Sequence, residues 1–139
     1  MKLISFILFI SLTALSLSHR GNDIANCGIK QLDKPYKAGG FGPDQFDDFG
    51  LVFYCTQIIN NIPCNLDRKS QATQGKKVTE LDQGDVLYVY DKKYNIIGAI
   101  IYIGNSEVIY TSSYLNKGVI KSSLKNLNME YIYDKRRNW

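Results

Sequence analysis

Histidine is almost missing from this chain. Its 139 residues include one, His19. A mechanism that needs a positioned imidazole base therefore has little to draw on. Cysteine is scarce too: Cys27, Cys55 and Cys64 stand at spacings that fit no zinc motif, and one histidine adds little to them. The sequence has one long apolar run, Leu3 to Leu17, and it falls short of the roughly 20 apolar residues that span a bilayer. There is no internal repeat and no low-complexity segment. Neither sign of charge dominates, with 17 Lys and Arg against 13 Asp and Glu. No nucleic-acid motif accompanies that mild basic excess, and the cluster Lys135, Arg136 and Arg137 reads as a solvated basic tail.

The apolar run has a different use. Lys2 precedes it, and Ser16 and Ser18 supply small residues at the −3 and −1 positions of a cut. A positive start, a short apolar stretch and small residues before the cut read as a secretory signal peptide over residues 1–18. No Cys follows that cut, so a lipoprotein anchor is not supported. The remaining residues 19–139 are the size of one domain with its own core. Cleavage places His19 at a terminus, where chains are usually mobile. It also places the cysteines in an oxidising compartment, where two of the three can pair. The sequence does not choose the pair. Cys55 reads as a packed core thiol, and Cys64, following Pro63, as a surface loop thiol or half of a disulfide.

Helix signals come first. Asn22 or Asp23 can cap a short helix carrying Ile24, Cys27 and Leu32. A loop with Gly39, Gly40, Gly42 and Pro43 leads to Asp47, an N-cap for a helix to about Asn60. Leu51, Val52, Phe53, Cys55, Ile58 and Ile59 cover most of its circumference, which predicts a buried central helix. A third short helix over Lys69 to Gln74 would stop at Gly75. After Gly84 the pattern turns to β. Val86 to Tyr90, Ile96 to Ile103, Val108 to Tyr110, Val119-Ile120 and Tyr131 to Tyr133 are β-rich runs separated by turn residues. Helices followed by strands predict an α+β domain, with an antiparallel sheet of about five strands packed on the central helix.

Asp48 is the most informative position. Val52, Cys55 and Ile59 follow it at +4, +7 and +11, so it tops a core-facing stripe at the positive end of a helix dipole. The dipole favours the anion, so the carboxylate is expected to stay ionised. Asp44 and Asp47 lie nearby, but neighbours on a helix point about 100° apart, a poor geometry for an acid dyad. Capping and dipole compensation account for the cluster. No further ligand set accompanies it to suggest a metal, and no cofactor is implied.

The segment PYKAGGFGPDQFDDFGLVFY, Pro35 to Tyr54, resembles the active-site segment of the NlpC family, whose motif runs P-Y-x-W-G-G, a short loop, then F-D-C-S-G-L-V. Pro35, Tyr36, Gly39, Gly40, Phe46, Asp47, Gly50, Leu51 and Val52 match it without a gap. Ser70, Gln71, Gly75 and Val78 resemble the family's linker helix. Leu81, Gly84, Asp85 and Val86 resemble its entry to the sheet, and Ile101 to Asn105 its H-V-G-I-Y-I-G-N strand. Gly118-Val119-Ile120 and Arg136-Arg137 fit its end. The resemblance spans nearly all of residues 19–139. It implies a papain-like fold and cysteine endopeptidase chemistry on peptidoglycan stem peptides.

The departures fall on that chemistry. The resemblance aligns the nucleophilic Cys with Asp48, the base His with Gly98 and the third polar residue with Tyr110. Phe49 follows in place of a Ser, and Ala38 stands for the motif Trp, leaving room beside the site. Without thiolate and imidazole the acyl-enzyme route has neither attacker nor proton carrier. The resemblance thus implies an inactive homologue whose groove, at Tyr36, Asp47, Asp48 and Tyr110, receives a peptide or cell-wall fragment. Residual hydrolysis by other residues and a regulatory partnership with an active relative are the alternatives. No nucleic acid and no stable membrane span are expected.

Overall fold

The computed structural model describes residues 20–112 and 117–139. The expected signal peptide, residues 1–18, and His19 lie outside the described residues. Helix α1 covers 20–30 and buries Ile24, Ala25 and Cys27. It is already helical at Arg20, so Asn22 and Asp23 sit inside it rather than capping it. The reason is tertiary. Its first turn is wedged against Trp139 and the Gln83 carbonyl, so closely that a Cβ at Gly21 would collide with both.

Asp47 caps α2, Asp48–Phe53, as the sequence predicts. The helix then departs from expectation and widens into a π-helical segment, Tyr54–Ile59. At its end the Asn60 side-chain amide donates to the Cys55 carbonyl at 2.7 Å and covers that carbonyl. Leu51, Val52 and Cys55 are buried, but Ile58 and Ile59 are 54% and 52% exposed, because the π turn shifts them off the 3.6-residue register. Cys55 is no free core thiol. It forms a disulfide with Cys27 that ties the π segment to α1. Cys64 is not a surface thiol either: it is buried, and burial pushes its thiol up to about 12. Helix α3, Arg68–Thr73, is capped by the Asp67 carboxylate and ends before Gly75.

The five expected strands are present as β2 (Val86–Tyr90), β3 (Ile96–Gly104), β4 (Glu107–Ser112), β5 (Gly118–Ser123) and β6 (Ile132–Arg137). A sixth, β1 (Lys76–Lys77), pairs with β6. The antiparallel sheet runs β1-β6-β2-β3-β4-β5. Alternation assigns its faces. Val86, Tyr88, Ala99, Ile101 and Ile109 pack under the helices with Ile24, Leu51 and Val52. Leu87, Val89, Ile100 and Val108 point the other way, against Leu127 and Tyr133.

Two polar anchors fix the layers. The Gln71 side chain, fully buried on α3, donates to the carbonyls of Phe49 and Asn65 and accepts from the Tyr88 hydroxyl. Asp85, before β2, is fully buried and accepts two hydrogen bonds of 2.8 Å from Arg137. Lys135 to Arg137 therefore form part of β6 rather than a solvated tail. No helix among the described residues is long and apolar enough to cross a membrane.

Candidate functional site

The start of α2 carries two adjacent carboxylates with different fates. Asp47 is buried, and its two oxygens accept from the backbone N–H groups of Gly50 at 2.7 Å and Gly39 at 2.9 Å. It locks the glycine loop onto the helix start, a capping role. Tyr36 enters the same region, with its backbone bridged to Phe46.

Asp48 points the other way, to the end of the sheet where β3 and β4 meet. One of its oxygens accepts from the Thr111 hydroxyl, and the backbone N–H of Ala99 also serves the carboxylate. Its other oxygen lies 3.0 Å from where a Cβ on Gly98 would be. Gly98 is buried opposite Val89 in the β2–β3 register. The positions that the resemblance aligns with the nucleophile and the base are therefore in contact range across the sheet edge.

The Asp48 carboxyl is raised to about 6, not held in the ordinary ionised range. Burial is the main cause. The hydrogen bonds from Thr111 and Ala99 oppose it, the Asp47 charge adds to it, and Arg68 lowers it again without forming an ion pair. The carboxylate is still ionised at neutral pH, but it takes up a proton much closer to neutrality than the dipole argument alone implies. The positive end of a six-residue helix does not outweigh desolvation.

Two clefts flank this side chain. The smaller, about 170 Å³, is lined by Tyr36, Asp47, Asp48, Phe49, Arg68, Ile97 and Thr111. The larger, about 490 Å³, is lined by Asp48, Gly98, Tyr110 and Thr111 together with Val89, Ile97, Ile100, Leu127, Tyr131 and Tyr133, among others. Asp48, Ile97 and Thr111 border both, so the carboxylate stands between them. Tyr110 and Gly98 share the larger cleft with Asp48, while Tyr36 and Asp47 belong to the smaller. Thr111, not Tyr110, bonds Asp48.

The NlpC/P60 family profile matches residues 33–137. The chain belongs to the NlpC/P60 family. This NlpC/P60 domain is 30% identical over 115 residues to the Mycobacterium tuberculosis protein named "Probable endopeptidase", an alignment covering 82% of this chain and 28% of that one. The chain thus spans little more than a quarter of the length of the curated relatives it matches. Among solved structures, NlpC2 from Trichomonas vaginalis superposes with a TM-score of 0.78 at 22% identity, over 86% of this chain and 47% of that one. RipD from Mycobacterium tuberculosis, described as a non-catalytic NlpC/P60 domain protein adapted to peptidoglycan binding, gives 0.69 at 16% identity, over 85% and 96%. These likenesses establish the α+β NlpC/P60 fold. The family is of cysteine endopeptidase type and includes both active and non-catalytic members.

Two site residues escaped the sequence reading. Thr111 was legible in principle, since strand alternation turns it inward with Ile109. Arg68 follows an N-cap on an exposed turn, stacks 5.1 Å over the Phe49 ring and edges the smaller cleft. No periodic signal marks such a position.

Proposed function

We propose that this chain is a secreted, catalytically silent NlpC/P60 domain that uses the clefts around Asp48 to hold peptidoglycan stem peptides or related peptides. One observation carries the reading: a half-buried carboxyl and a bare glycine face each other at the positions aligned with nucleophile and base. Thiol acyl transfer needs a thiolate and a proton carrier beside it. Among the described residues the free thiol is Cys64, which is buried and held protonated, while Cys27 and Cys55 are joined to each other. The clefts supply concave walls with a few polar groups, the usual form of a ligand site. Above about pH 6 Asp48 is ionised and placed to hold a ligand amine. The RipD description supports a binding role on this fold.

Incubation with defined stem peptides, followed by mass spectrometry of the peptides and of what stays on the protein, tests this. Intact peptides retained by the protein, with weaker retention by Asp48→Asn, are expected. Cleavage products that disappear on a site substitution would overturn the reading in favour of a residual hydrolase. Intact but unbound peptides would overturn it in favour of a protein partner.

A further inference from the structure

The larger cleft has a lopsided chemistry. Among its lining residues Asp48 is the one that carries charge at neutral pH. Val89, Ile100 and Leu127, with Tyr131 and Tyr133, give the cleft an apolar and aromatic wall, while its other polar groups, such as Asn126 and Asn128, are neutral. A wholly apolar ligand would desolvate this carboxylate further and add nothing to its bonds from Thr111 and Ala99, and an anion would be repelled. A cation on an apolar stem satisfies both ends, with the aromatic rings adding attraction for the charge.

Gly98 opens the way to that charge. Its backbone does not require glycine, since it is not among the residues with positive φ. A Cβ there would meet the Asp48 oxygen at 3.0 Å and Val89 Cγ2 at 3.5 Å. The free space beside the carboxylate exists because residue 98 has no side chain.

We propose that the larger cleft is a slot for an alkylammonium group, a primary amine on an unbranched apolar stem such as a lysine side chain, and that Gly98 is the specificity residue that admits it. This rests on the peptide-binding reading above and adds which part of a peptide the cleft receives. Occupancy brings the ammonium to the Asp48 carboxylate through the gap at Gly98, and the methylenes lie along Val89 and Ile100.

The probes are Nα-acetyl-lysine methylamide and its norleucine counterpart, which share a stem but differ in charge, followed by NMR titration of the full protein at pH 7.5. The lysine probe is expected to bind at least about tenfold more tightly than the norleucine probe. Gly98→Ala should weaken it by at least that factor, because the added methyl fills the gap. Asp48→Asn should erase the lysine preference, and it keeps the test decisive if Gly98→Ala fails to fold. Equal affinity for the two probes, or an undiminished preference in folded Gly98→Ala, would overturn the slot. Stem peptides with and without a lysine side chain separate the two readings. If both are retained equally, and Gly98→Ala changes neither, peptide binding stands and the slot falls. If the lysine probe behaves as expected but no stem peptide is retained, the slot stands and the peptidoglycan reading falls.

Discussion

Two carboxylates are taken out of water at different ends of this sheet, and they are treated oppositely. Asp85 has a full set of partners: a two-pronged grip from Arg137 and the backbone N–H of Asp82 at 2.7 Å. Asp48 has a hydroxyl and an amide but no cation in ion-pair contact. Full compensation marks Asp85 as a structural clasp between the start of β2 and the end of β6. Incomplete compensation beside two clefts is the feature on which the proposed role of Asp48 rests. The contrast teaches that burial of an acid says little by itself, and that function is read from what is left unpaired.

The comparison is broken most severely at the clasp. Arg137→Ala leaves the Asp85 charge buried without its cation and should cost about 3 to 5 kcal/mol in urea unfolding. A loss below about 1 kcal/mol would mean that water replaces the guanidinium there. Next comes the Cys27–Cys55 link, whose loop of 28 residues predicts a loss of about 3.5 kcal/mol for the paired Cys27→Ala, Cys55→Ala variant. The link acts chiefly on the unfolded chain, so the Asp48 titration, followed by carboxyl NMR, should stay in place. A shift there would make the disulfide part of the site.

Asp48→Asn should do the reverse of Arg137→Ala and stabilise the protein. The folded carboxyl titrates near 6 against 3.8 for the ordinary value, so the native state binds the proton more tightly. Stability is then greatest below 3.8, falls as pH rises to about 6 and is flat above. After a discount for partial exposure, the variant should gain about 1 to 2 kcal/mol at pH 7, and the gain should fade by pH 4. An equal gain at both pH values would remove the titration from the explanation. The smallest effect is expected from Thr111→Val. It should cost about 1 kcal/mol and move the Asp48 midpoint higher, because the lost hydroxyl favours the anion. An unmoved midpoint would show that the Ala99 amide alone holds the carboxylate.

The framework was legible because it rests on patterns that sequence carries. The β-rich runs from Val86 onward gave the main strands, and Asp47 announced its helix. The residues that broke expectation answer to distant contacts. Asn22 and Asp23 look like caps until Trp139 holds the turn before them. Lys76 and Lys77 have no strand pattern, and they pair because β6 lies alongside. Ile58 and Ile59 fit an α register that the π segment abandons. At the site, Asp48 and Gly98 came from aligned motifs. The ionisation of Asp48 did not, since it depends on how much water the finished fold removes. Thr111, rather than Tyr110, bonds Asp48 because alternation along β4 turns it to the helix side with Ile109 and turns Tyr110 to the other face, a signal the sequence did carry.

The place of β6 in the sheet has a temporal consequence. β6 lies between β1 and β2, although it is made after all the other strands. As the polypeptide emerges from a ribosome, β2 can pair with β3 but keeps its other side bare until residues 132–137 arrive. Such a layout delays closure of the sheet until the final strand has been made.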